Sequence, residues 1–135
     1  MTGEAIRSRL GGLWLSRADG WHQGIELLQV RAMAGEMRSG GARFAALTVR
    51  PTDGAFKLAW HFDAAGELLT LEARLPAGAT VPSILDLWPG ADWAEREARD
   101  YYALRFDGRA DTPPLMLRDG DAPGVFLDSK EGALS

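Results

Sequence analysis

Cysteine is absent from the 135 residues, and that absence excludes more chemistry than any residue present. Iron–sulfur clusters require thiolates, structural zinc sites mostly use them and disulfide scaffolds consist of them, so none of the three can be built from this chain alone. Histidine is nearly as scarce. His22 and His61 are the only two, too few and too far apart in sequence for a zinc site of the His-x-x-x-His kind. Lysine occurs only at Lys57 and Lys130. Fifteen basic residues against nineteen acidic ones leave a formal charge of −4, so no basic excess is available for phosphate backbones and nucleic acid is not an expected partner. No window approaches the roughly 20 apolar residues that cross a bilayer. The start Met1-Thr2-Gly3-Glu4-Ala5-Ile6-Arg7 lacks the ~7 to 15 residue apolar stretch of a secretion signal. These absences lead us to expect a cytoplasmic chain with no direct membrane insertion.

The residues that are present describe a folded domain. Hydrophobic residues make up 46% and charged residues 25%, near the averages of about 45–50% and about 25% for soluble globular proteins. The length suits one core. From Glu4 to Leu15, the apolar residues Ile6, Leu10, Leu13 and Trp14 recur at helical spacing and predict an amphipathic helix. Ser16 to Gly24 reads as polar and turn-rich, and Ile25 to Val30 is too short to assign. Ala32 to Arg38 predicts a short helix, stopped by Ser39-Gly40-Gly41.

Three runs with period two follow, separated by turn signals. Phe44, Ala46 and Thr48 oppose Ala45, Leu47 and Val49. After Pro51-Thr52-Asp53-Gly54, Phe56, Leu58, Trp60 and Phe62 oppose Lys57, Ala59 and His61. After Asp63-Ala64-Ala65-Gly66, Leu69, Leu71, Ala73 and Leu75 oppose Thr70, Glu72 and Arg74. Such runs are half-buried antiparallel strands, with Trp60 and Phe62 in the core and His61 satisfied or solvent-facing on the other side. Ser83, three residues before Asp86, and Asp92, three before Glu95, read as helix starts. The fold class expected is α+β: a two-layer sandwich, a mainly antiparallel sheet with helices on one face, and an extended C-terminal tail. Residues 1–108 form the domain and 109–135 the tail, either part of that domain or partner-binding.

The segment from Pro82 to Gly108 carries the most information. Glu95 with Arg99 and Arg96 with Asp100 are i,i+4 pairs of opposite charge, each worth ~0.2 to 0.5 kcal/mol on an exposed helix. Trp93, Glu97 and Asp100 share one side, with Tyr101 and Leu104 on an adjoining stripe. Such a helix either presents a solvated face or docks on another protein. Carboxylate catalysis would need environments that split two pKa values, and each acid here has an arginine near it. Gly40-Gly41 lacks the lysine and hydroxyl of a phosphate loop, and neither a dinucleotide fingerprint nor a Gly-x-Ser-x-Gly elbow occurs. No catalytic, cofactor-binding or metal residue is assigned.

The same segment resembles the signature of the 30 kDa subunit family of respiratory complex I, the NADH:quinone oxidoreductase, with relatives in membrane-bound hydrogenases. Pro82-Ser83, Trp88, Ala91, Trp93, Glu95-Arg96-Glu97, Asp100, Tyr102, Leu104, Phe106 and Gly108 match the family pattern in order. Two departures stand out: the family glycine after the aromatic is Ala103 here, and the usual His-Pro-x-Leu-Arg-Arg stretch is replaced by Arg109 to Leu115. The resemblance implies a cofactor-free docking subunit of the peripheral arm, in an NADH:quinone oxidoreductase or a related hydrogenase. It would pack on the large hydrogenase-like (49 kDa type) subunit, at the cytoplasmic face of the inner membrane, with no activity of its own. It implies partner-docking residues Trp93, Glu95, Arg96, Glu97, Asp100 and Tyr102, continued by Phe106 to Phe126. The alternative is a divergent stand-alone protein-binding or regulatory module of the same fold.

Overall fold

The side chain of Thr2 accepts the Ala5 N–H at 3.1 Å and starts helix α1, Gly3–Leu10. A computed structural model describes residues 1–109; the expected tail beyond Arg109, with Phe126 in it, lies outside the described residues. Helix α1 stops five residues before the predicted Leu15. Gly11 and Gly12 take φ of 68° and 79°, a backbone glycine enters without a Cβ penalty. The chain then makes a hairpin, β1 Leu15–Arg17 and β2 Gly20–Gly24, where the sequence predicts only a polar, turn-rich segment. A single 3-10 turn, Leu27–Gln29, leads into α2, Val30–Ser39, which ends at Gly40-Gly41 as its glycines predict.

The three alternating runs are strands β3 Arg43–Thr52, β4 Ala55–Ala64 and β5 Glu67–Pro76, paired antiparallel through tight turns. β2 joins the far side of β5 in parallel, giving the order β1-β2-β5-β4-β3. A short parallel pair, β6 Val81–Pro82 and β7 Phe106–Asp107, brackets helix α3, Ala91–Tyr102. The helices pack on the face bearing Leu58, Trp60 and Phe62 of β4 and Leu69, Leu71 and Leu75 of β5, all buried. Each such side chain contributes about 1.5–3 kcal/mol on burial. The sheet is therefore mainly antiparallel with helices on one face, as expected for an α+β sandwich. Among the described residues no helix is long and apolar enough to cross a membrane.

Candidate functional site

Helix α3 turns Ala91, Glu95 and Ala98 inward, an i, i+4, i+7 stripe with a carboxylate in its middle. Glu95 is 1% exposed. Its Oε1 accepts the Ser83 hydroxyl at 2.7 Å and its Oε2 accepts the Ile84 N–H at 2.9 Å. Arg109 donates to Oε1 at 3.2 Å and also binds Asp92. One carboxylate thus ties the loop after β6 and the chain after β7 to the helix. A buried acid is tolerable because its lone pairs are taken by donors and a cation.

Two expectations are corrected here. Ser83 does not cap a helix, because residues 83–90 form turns and α3 begins only at Ala91, after Gly90. The Ile84 amide is satisfied by Glu95 instead of by a local cap. Nor does Glu95 lie on a solvated surface opposite Arg99; it faces the core, and the Arg99 guanidinium stands 3.7 Å from Asp100. Asp100 is fully buried, and Phe106, which sits in β7, is buried as well. Tyr102 is half-buried, edge-to-face with Phe56 at 5.7 Å. Any role of Glu95, Asp100 and Phe106 toward a partner would be exerted through the surface they hold in place.

The outward side of α3 carries the rest. Trp93 is 57% exposed. Arg96, its side chain 25% exposed, lies 3.6 Å from Asp92 one turn earlier, and Glu97 is half-buried beside it. The platform beneath is anchored from α2. Arg31 makes two hydrogen bonds of 2.7 Å with Asp86 and donates to the Ser83 carbonyl, while Arg38 donates to the Leu87 carbonyl. Trp88 packs on Phe62 with centroids 5.7 Å apart. The Arg31 guanidinium pulls the Asp86 carboxyl down from 3.8 to about 2.

The opposite face of the sheet gathers polar residues that nothing in the sequence connects. His22 on β2 and His61 on β4 are both register partners of Thr70 on β5. His61 exchanges hydrogen bonds with Thr70 at 2.8 Å and Thr48 at 3.1 Å, while His22 meets Asp19 at 2.7 Å. Burial, and then the neighbouring His22, push the His61 imidazole below its ordinary 6.5. Strand alternation places His61 on this face, but only the parallel β2–β5 pairing brings His22 to it. Among the described residues no cluster able to hold a metal ion is assembled.

Comparison with known proteins bears on the same segments. The family described as respiratory-chain NADH dehydrogenase, 30 Kd subunit, matches residues 22–125. The C/D subunit of the NADH-quinone oxidoreductase of Gluconacetobacter diazotrophicus is 48% identical over 71 residues, covering 46% of this chain and 12% of the relative. The C subunit of the same enzyme in Rhodopseudomonas palustris is 43% identical over 67 residues, covering 48% of this chain and 34% of the relative. The matches thus span about a third or less of these curated relatives' length. Among solved structures, a chain of the membrane-bound sulfane sulfur reductase, an archaeal respiratory membrane complex, superposes with a TM-score of 0.72. That match covers 98% of this chain and 90% of the other at 17% identity, and shows a shared fold.

Proposed function

This chain belongs to the family of the 30 kDa subunit of respiratory-chain NADH dehydrogenase, and on that premise we propose that it works as a docking subunit of such a complex or of a hydrogenase-related one. Its partner in this reading is the large, 49 kDa-type subunit, and it stays peripheral to the membrane on the cytoplasmic side. The chain supplies no cluster chemistry itself, since its 135 residues contain no thiolate. Its work is to present a surface.

The observation that carries this reading is Trp93, a large aromatic left 57% exposed on a helix whose inward side is locked by Glu95. Tryptophan and arginine are the residues whose loss most weakens interfaces, commonly by ~2 kcal/mol or more. Trp93 and Arg96 stand one turn apart on α3, with Glu97 next along the helix. Docking there would cover the aromatic face and leave the anchored platform unchanged.

The test is co-purification of Trp93→Ala and Arg96→Ala chains with the large subunit. Each variant should keep the melting temperature of the parent, and Trp93→Ala should weaken retention by roughly 30-fold, the equivalent of about 2 kcal/mol. Undiminished retention by both variants removes α3 as the docking element. A chain that purifies from its native source with no partner favours the stand-alone module instead.

A further inference from the structure

Arg50, Lys57 and Arg74 stand side by side across three strands. Lys57 on β4 is the register partner of Arg50 on β3 and of Arg74 on β5, so three cations leave the helix-free face of the sheet in one row. At a strand spacing of about 4.8 Å the row is ~10 Å long. Like charges directly opposite one another destabilise a sheet. Fold stability alone would favour a carboxylate in the row, and the neighbouring carboxylate is already shared. Glu72 lies 3.2 Å from Lys57, 3.5 Å from His22 and 4.0 Å from Arg17, and its side chain is 15% exposed. Arg50 and Arg74 make no ion pair with any described residue and are exposed. Arg17 and Lys57 thus share one carboxylate, and the row's two outer cations, Arg50 and Arg74, pair with none among the described residues, in a chain whose overall charge is −4.

The row borders a depression of about 630 Å³ whose lining includes Arg17, Lys57, Arg74 and the apolar Leu15 and Ile25. Leu15 is half exposed. We infer that this face binds an acidic segment of a partner polypeptide, its carboxylates set along the Arg50–Lys57–Arg74 row and an aliphatic side chain in the depression beside Leu15. Complementary charge of this kind fixes orientation and speeds encounter. The surface lies across the sheet from α3, so the inference does not depend on the role of Trp93, and it describes a second contact.

Lys57 makes a selective probe because the chain has only one other lysine, Lys130. Treating the native assembly with a carbodiimide, which joins an amine to a touching carboxylate, should link Lys57 to an Asp- or Glu-rich peptide of another chain, identified by mass spectrometry. Links from Lys57 confined to Glu72, or to the acidic residues of this chain's own 110–135 segment, overturn the inference. The Arg50→Gln/Arg74→Gln double variant leaves the Lys57–Glu72 pair intact and removes opposed like charges, so its melting temperature should equal or exceed that of the parent. Its yield of the interchain link should fall about tenfold, with the partner released at lower salt. Equal yield and equal salt dependence in the double variant also overturn it.

Discussion

Ser83 and Glu95, twelve positions apart, meet inside the protein, the hydroxyl donating to the carboxylate at 2.7 Å. Their contact joins the loop after β6 to the middle of α3, and Arg109 closes it from the far side at 3.2 Å. The serine of the Pro-Ser pair and the first glutamate of the Glu-Arg-Glu run, from two separate motifs, therefore form one buried junction.

Replacing Glu95 by Ala should cost about 3 kcal/mol, because it leaves the buried Ser83 hydroxyl and Ile84 amide without their acceptor and takes from Arg109 one of its two carboxylate partners. Glu95→Gln keeps the shape and one carbonyl acceptor, so it should fall between the parent and Glu95→Ala. Urea unfolding measures both. A midpoint unchanged in Glu95→Ala would mean that the carboxylate does not hold the loop.

The Arg31–Asp86 pair can be read by titration. Asp86 is held at about 2 against an ordinary 3.8, so the stability linked to it is fully present above 3.8 and is lost as pH falls through 2. In Arg31→Met, NMR should find the Asp86 midpoint returned toward 3.8. A midpoint still near 2 would assign the shift to the backbone around Asp86 instead.

His61 carries a pH signature of its own. Its folded value lies below the ordinary 6.5, because burial and His22 oppose its charge. The unfolded chain therefore takes up the proton first, and stability falls as pH drops below 6.5 until the folded value is passed. Melting temperatures between pH 8 and pH 5 should show this decline, and His61→Gln should flatten it. An equal slope in both proteins would move the effect to other groups.

Ala103 ends α3 in the left-handed region at φ 56°, the position where the family pattern has glycine. An L-residue there costs roughly 1 kcal/mol. Ala103→Gly should raise stability by a large part of that amount, since its greater freedom in the unfolded chain returns some of the gain. Differential scanning calorimetry would show a higher melting temperature, and a lower one would contradict the strain.

The central meander is legible because each of its signals is local. Strand alternation in β3, β4 and β5 requires only that one face be apolar, and the turns between them fall where the sequence offers Asp53-Gly54 and Ala65-Gly66. The stop of α2 is legible for the same reason. The early stop of α1 has a signal as well, Gly11-Gly12, which the helical spacing of Leu13 and Trp14 outweighs. Glu95 reads as a surface acid because charge at i,i+4 from Arg99 fits an exposed helix. The pattern that marks it as buried, an acid between Ala91 and Ala98, becomes informative only once a donor is known to wait opposite.

By itself the sequence determined the class of fold, the family signature and the faces of β4 and β5, because alternation, helix stops and motif spacing act between near neighbours along the chain. In β3 a bulge after Phe44 turns that ring to the core beside Phe62, against the alternation. Only the tertiary structure decided that Glu95 turns inward, that β2 pairs in parallel with β5 and that Arg50, Lys57 and Arg74 share a row. Those outcomes depend on which distant donors, strands and charges meet, and closing a long loop to bring them together is governed by the packing of the whole core and not by local preference.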